Sequence, residues 1–132
     1  MQQYWFDHVH LMCLDVEKSA RFYEGNFGAR RVGVRKNPDS STGIELNLNG
    51  TRLLLLARPG RAETKREAVG KSYGLEHFCI RTDNIESAVA ALKAAGVQFR
   101  EEIRESRPGI SRIAYFWGPD NELVELLETK AT

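Results

Sequence analysis

Tyr73-Gly74-Leu75-Glu76-His77-Phe78-Cys79-Ile80-Arg81-Thr82-Asp83 alternates as a strand does, and Ile85, Ala88, Val89 and Leu92 behind it recur at helical spacing until Gly96 stops them. A histidine therefore sits near the start of a strand that feeds a helix. Residues 6–28 follow the same grammar. Phe6-Asp7-His8-Val9-His10-Leu11-Met12-Cys13-Leu14-Asp15 is followed by Val16, Ala20, Tyr23 and Phe27 at helical spacing, closed by Gly28. The chain says one thing twice.

Its 132 residues, 42% of them hydrophobic, suffice for one ordinary domain with a real core and are too few for two independent ones. One domain of two similar halves is the economical reading. A formal net charge of +1 with 28% charged residues gives no global field for nucleic acid or a membrane surface. The longest apolar run, Leu53 to Ala57, is far short of a membrane span. Met1-Gln2-Gln3-Tyr4-Trp5 lacks the basic segment and apolar core of a signal peptide, so the expected location is the cytoplasm. Cys13 and Cys79 both fall in expected strands and read as reduced, small core residues.

Residues 4–14 carry apolar groups on both alternating faces and read as a strand covered on both sides, with His8 and His10 sharing one face. Asp15 suits a helix N-cap. Gly28 to Lys36 reads as a second strand, Asn37-Pro38-Asp39-Ser40-Ser41 as a turn, and Ile44 to Leu48 as a third strand. Asn49-Gly50 is a hairpin signal leading into a fourth, Leu53 to Leu56. The first half, 1–58, is thus βαβββ. Residues 59–72 show no strand pattern and a local basic excess, and read as a linker. The second half, 73–128, repeats the order: strand 73–82, helix 84–95, strands 97–104, 111–117 and 122–128, with Gly118-Pro119-Asp120-Asn121 as a turn. Asp15, Ser19 and Ala20 match Asp83, Ser87 and Ala88 at an offset of 68, whereas His8 and His77 are 69 apart; a bulge in the strand would absorb the difference. The expected fold class is α+β, two tandem βαβββ modules of curved, barrel-like mixed sheet.

His77 shares its strand face with Cys79, and Glu125 shares its face with Leu123 and Leu127. A carboxylate between two leucines needs a cation or strong donors to stay ionised. Two histidines and one carboxylate from three strands, His8, His77 and Glu125, would make a three-point metal site with open positions, suited to iron, manganese, nickel, cobalt or zinc. Each residue also has an ordinary reading. A single strand histidine is most often a hydrogen-bonded core residue, and a single strand glutamate is more often salt-bridged or at an edge. On spacing alone these ordinary readings outweigh the metal site.

Asp7-His8 followed by Asp15-Val-Glu-Lys-Ser, Phe22-Tyr23 and Gly28, then Gly74-Leu-Glu-His77 with Asp83, then Phe116-Trp-Gly-Pro119-Asp120-Asn-Glu-Leu-Val-Glu125-Leu, resembles the vicinal oxygen chelate superfamily. This is the group of glyoxalase I, methylmalonyl-CoA epimerase, extradiol dioxygenases, fosfomycin resistance enzymes and bleomycin resistance proteins. The resemblance covers nearly the whole chain, and its C-terminal Gly-Pro-Asp to Glu-Leu stretch is the most specific part. It implies paired βαβββ modules around a divalent metal, with His8, His77 and Glu125 at ligand positions and a homodimer as the assembly. In that superfamily the first histidine lies seven residues before its Asp and the second lies six before, which His8 and His77 satisfy.

The fourth ligand position, usually Glu or Gln, falls on Leu54 or Leu55, neither of which can ligate. That departure argues against a standard glyoxalase I and against an epimerase with its full ligand set, and leaves a triad more like extradiol dioxygenases or fosfomycin-type enzymes. The former are usually longer; the latter carry a C-terminal arginine after the glutamate that is missing here, and a threonine where His10 stands. Glu45 lies close to where epimerases carry a proton-abstracting glutamate, so it reads either as a general base or as a solvent-facing strand residue. His10 reads as a core residue, a partner to a ligand, or a substrate contact. The basic linker, with Arg58, Arg61, Lys65, Arg66 and Lys71, is a solvated loop or a lid that attracts an anionic substrate. The expectation is a metal-dependent enzyme acting on a small-molecule substrate, lyase or isomerase before dioxygenase before thiol transfer. The rival is a metal-free binding module resembling bleomycin resistance proteins.

Overall fold

The computed structural model describes residues 1–39 and 41–130; Ser40, within the expected turn, lies outside them. Two compact units are present, Met1–Ala62 and Glu63–Thr132. The first contains β1 (His8–Met12), α1 (Val16–Phe27), β2 (Arg30–Lys36), β3 (Thr42–Leu48) and β4 (Thr51–Leu56). The second contains a 3-10 turn at Arg66–Ala68, then β5 (Phe78–Thr82), α2 (Ile85–Ala94), β6 (Phe99–Arg107), β7 (Ser111–Trp117) and β8 (Leu123–Thr129). Each unit is βαβββ, with one helix and one open, four-stranded mixed sheet. The strand orders are β1-β4-β3-β2 and β5-β8-β7-β6, with the first strand of each unit parallel to its last.

Local chemistry accounts for the elements. Asp15 caps α1 by accepting from the Lys18 amide at 3.1 Å, and Gly28 closes it at φ 69°, where other residues are strained. Asn49 and Gly50, at φ 50° and 101°, make the tight β3–β4 turn. Val16, Ala20 and Tyr23 of α1 are buried on the helix side, where α1 packs against β3 and β4, whose Ile44, Leu46, Leu53 and Leu55 are buried as well. Burying each such side chain contributes roughly 1.5–3 kcal/mol. In the second unit Ile85, Val89 and Leu92 of α2 are buried, as are Ala114 and Phe116 of β7 and Val124 and Leu126 of β8.

The structure corrects several expectations. Asn84, not Asp83, caps α2, accepting from the Ser87 amide at 3.0 Å. Asp15, Val16, Ala20 and Tyr23 thus correspond to Asn84, Ile85, Val89 and Leu92, all at the 69-residue offset of the histidines. No bulge is needed in β5, and none occurs there; the register shifts lie in β2 and β6. The first strand is shorter than residues 4–14 and is not covered on both sides. His8 pairs with Arg52, so the tight turn before β4 leaves Tyr4, Trp5 and Phe6 without a partner, and they are exposed. Likewise Phe78 pairs with Val124 just after the turn before β8, so Tyr73 and Leu75 precede β5 and are exposed. Cys13 is buried as expected, but Cys79 is exposed, because it faces away from α2. The second half of the expected linker is docked. Arg66 donates to Gln98 Oε1 at 2.6 Å and Asn121 Oδ1 at 2.7 Å and lies over the Trp117 ring.

Glu128 ties β8 to the start of α2, accepting from the Ile85 amide at 2.9 Å and from Arg112 at 2.7 Å. The Ile85 amide first, then Arg112, holds its carboxyl below the usual value. A folded-state pKa below the unfolded one means that this stabilisation is complete above the ordinary carboxylate range and is lost as pH falls through the folded value. In urea titrations, Glu128→Gln should therefore lose less stability than the parent chain on going from about pH 5 to about pH 3. Leu46→Ala, which empties a fully buried site, should cost about 2–5 kcal/mol in the same assay at neutral pH.

Candidate functional site

The pairing registers decide which side chains share a face. In the second unit Cys79 of β5 lies opposite Glu125 of β8, which lies opposite Tyr115 of β7. His77 immediately precedes β5 and brings Nε2 to 2.8 Å from Glu125 Oε2, while its Nδ1 lies 3.0 Å from Glu76 Oε1. The Tyr115 hydroxyl donates to the same Glu125 oxygen at 3.4 Å, and its ring meets that of His77 edge-on at 5.2 Å. The Glu125 side chain is only 17% exposed. Burial, then the Glu125 charge, raises the Tyr115 phenol, and the same two causes push the Cys79 thiol up to about 11. Cys79 is therefore a protonated thiol at neutral pH and a poor nucleophile.

The first unit has the same frame with other side chains. His10 of β1 lies opposite Leu54 of β4, which lies opposite Glu45 of β3. By register Leu54 takes the place of Glu125, Glu45 that of Tyr115, and His10 that of Cys79. Of the two leucines, Leu54 is the one equivalent to Glu125 by register, while Leu55 is buried at 1% exposure. His8 Nδ1 lies 2.6 Å from Asp7 Oδ2. Arg52 joins two carboxylates, donating from Nη1 to Asp7 Oδ2 and from Nη2 to Glu45 Oε1, each at 2.6 Å. The Arg52 hydrogen bond holds the Glu45 carboxyl below its usual value, and the His8 hydrogen bond, opposed by desolvation and aided by Arg52, does the same for Asp7. Burial first, then the charges of His8 and Arg58, lowers the pKa of His10 and favours its neutral form. His10 and Glu45 both line a cavity of about 340 Å³, with Leu54, Arg35, Arg58 and Gly33.

The expected residues thus meet in two sets. His77 and Glu125 touch; His10 and Glu45 share a cavity wall, and His8 joins Glu45 through Asp7 and Arg52. Among the described residues no three His, Cys, Asp or Glu side chains are gathered as a metal-ligand set. The donor chemistry nonetheless fits a divalent ion. The imidazole nitrogen of His77 and the carboxylate of Glu125 already converge, and His8 and His77 each have Nδ1 tied to the carboxylate just before them in the chain. That tie is the arrangement that fixes a ligating imidazole's tautomer and aims Nε2 outward. Sequence reasoning did not single out Arg52, Tyr115, Asp7 or Glu76 for these roles. The acid directly before His8 and before His77 was a readable signal; Arg52 and Tyr115 emerge only from the register.

The model of the Glyoxalase/Bleomycin resistance protein/Dioxygenase superfamily matches residues 5–126. The chain is 26% identical over 155 aligned positions to lactoylglutathione lyase of Schizosaccharomyces pombe, covering 100% of this chain and 50% of that protein. It is 31% identical over 102 positions to human mitochondrial methylmalonyl-CoA epimerase, covering 74% of this chain and 58% of the epimerase. The chain therefore spans about half the length of these two curated relatives. A crystal structure of a glyoxalase family protein from Enterococcus faecalis superposes with a TM-score of 0.80 at 21% identity, over 94% of this chain and 97% of that one, a likeness of fold. With its paired βαβββ units and a family model spanning nearly its whole length, this chain belongs to the glyoxalase, bleomycin resistance protein and dioxygenase superfamily.

Proposed function

We propose that the protein is a divalent-metal-dependent enzyme acting on a small oxygenated substrate as a lyase or isomerase, a cytoplasmic homodimer whose chain forms one domain of two modules, 1–58 and 73–128. The observation that carries this reading is the His77–Glu125 pair. An imidazole Nε2 and a largely buried carboxylate stand 2.8 Å apart, with the other imidazole nitrogen held by Glu76. Relatives named as a lactoylglutathione lyase and a methylmalonyl-CoA epimerase support the reaction class.

His77, Glu125 and His8 would hold the ion, His8 coming from the same chain or from a second copy. The bound ion supplies Lewis acidity that stabilises an enolate or alkoxide on the substrate. Glu76 and Asp7 accept the Nδ1 protons of His77 and His8 and so leave each Nε2 as the donor. Arg52 occupies Oε1 of Glu45 and keeps that carboxylate ionised, which leaves Oε2 to accept a proton from a substrate carbon in the cavity. His10, favoured in its neutral form, can hydrogen-bond a substrate oxygen there without adding a charge. Leu54 departs from the full ligand set that the family resemblance implies, and it favours a second reading: an apolar residue on the cavity wall suits a ligand packed against it in a metal-independent binding module.

Metal analysis of protein purified without chelator separates the two. The expected result is stoichiometric bound divalent ion, lost in His77→Ala and Glu125→Gln and weakened about 10- to 100-fold in Glu76→Gln. Leu54→Glu, which adds a carboxylate at the position equivalent to Glu125, should tighten binding. Absence of bound ion from the parent chain would end the metal reading and leave the binding module.

A further inference from the structure

We propose that the cavity of the first unit takes a small organic monocarboxylate, with the Arg35 guanidinium as its anchor. This rests on reading that cavity as the substrate side of the enzyme, and it adds the chemical class of what binds there.

The hollow owes its depth to missing side chains. Gly33 of β2 lies opposite Glu45 of β3, and Gly43 of β3 lies opposite Arg35 of β2. A methyl placed on Gly33 would meet no atom within 4 Å, so the cavity wall there is bare backbone beside open space. At about 340 Å³ the cavity lies at the small end of the range for ligand sites, which limits the occupant to a compact molecule.

Several strand arginines, Arg30, Arg81 and Arg107 among them, share with Arg35 the lack of a side-chain hydrogen bond or ion pair among the described residues, but of these Arg35 alone lies on the cavity. Arg31 is held by Glu17 and Glu24, Arg52 by Asp7 and Glu45, Arg112 by Glu86 and Glu128, and Arg104 by Glu101. Among the described residues the Arg35 guanidinium has no hydrogen-bond or ion-pair partner, and it lies on the cavity. Arg58, also on the cavity, has only Asp39 at 3.8 Å, longer than a hydrogen bond. An unengaged guanidinium offers a planar fork of donors that matches a carboxylate.

The charge count sets the valence of the occupant. Arg35 and Arg58 are the cations that line the cavity and Glu45 is the anion, so the wall carries one excess positive charge. Glu45 is hydrogen-bonded to Arg52; the Arg35 charge also acts on it, but without a hydrogen bond or ion pair. A monoanion balances that wall; a dianion would leave it negative. Val32, Val34, Leu54 and Leu56 are among the other lining residues and give a carbon body an apolar surface. Arg35 sits one strand over and two residues along from Glu45, about 8 Å by sheet geometry. A short skeleton with its carboxylate at one end can therefore lie between the two.

The test is titration of the full, isotope-labelled chain followed by amide spectra, with EDTA present throughout so that the outcome is independent of any metal. The probes are 2-oxobutyrate, its uncharged methyl ester and methylphosphonate. The expected result is a saturable shift of the Gly33 and Gly43 amides with 2-oxobutyrate and none with the ester. Affinity should fall about tenfold in Arg35→Gln, the loss of one charge-assisted contact, and less in Arg35→Lys. It should be unchanged in Arg61→Gln, a control on the exposed loop. Arg35 is exposed on an edge strand, and the spectrum of each variant reports directly that it is folded. Equal affinity in Arg35→Gln, equal binding of the ester, preference for methylphosphonate, or no saturable shift with 2-oxobutyrate would overturn the proposal. If protein with intact Arg35-dependent binding proves to hold no metal, the metal reading fails and this one stands.

Discussion

The parallel pairing of β5 with β8, in the register that sets Cys79 opposite Glu125, is the constraint on which the second unit depends. Parallel neighbours cannot be joined by a tight turn; here a helix and two further strands, α2, β6 and β7, make the return. That route carries a carboxylate 48 residues down the chain to the imidazole of His77. A shift of one residue would turn Glu125 toward α2, among Val124 and Leu126, where nothing balances its charge. Burial of the helix face thus fixes the register, and the register places the polar pair. Packing energy and site geometry are two consequences of one alternation.

The first unit applies the same constraint to different side chains. The frame is shared to the level of individual pairs, since Leu54 stands for Glu125 and Glu45 for Tyr115. The content has diverged. The second unit keeps a converged imidazole, carboxylate and phenol, with the Cys79 thiol kept protonated beside them. The first has leucine where the second has its central carboxylate, and a glycine beside open space at Gly33 on the wall of its cavity. The two halves therefore differ in what they present: one holds a converged imidazole and carboxylate, and the other a cavity.

Much of this was legible in the sequence. Periodicity of 2 and 3.6 located both modules, and turn chemistry at Asn49-Gly50 and Gly28 held to the residue. Where the reading failed, the cause was a partner invisible in one dimension. Tyr4, Trp5 and Phe6 have strand chemistry, but the strand they would extend has no neighbour beyond the Asn49–Gly50 turn. Tyr73 and Leu75 fail for the same reason. Cys79 looked like core because free cysteines are usually buried, yet its face is set by Glu125 and not by its own hydrophobicity. Matching Asp15 to Asp83 misled because both are acids before a helix; the cap that counts is Asn84. Arg52 left no trace in the pattern, because its role comes from lying opposite His8 across the β1–β4 pair.

That position makes Arg52 the residue through which the first unit's two tasks meet. One guanidinium serves Asp7, which orients His8, and Glu45, which faces the cavity. Its two terminal nitrogens are committed to one oxygen each, so neither carboxylate is fully saturated. Asp7 also holds the His8 imidazole, and Glu45 keeps one oxygen that Arg52 does not bond. An ordinary surface ion pair of this kind would contribute little to stability, and the pair is not needed to hold β4 in a sheet already fixed by Leu53 and Leu55. The more economical account is positional. Coupling the orientation of His8 to the ionisation of Glu45 through one planar group keeps the imidazole and the cavity carboxylate at a fixed relation, and it does so with a side chain whose own charge never titrates in the physiological range.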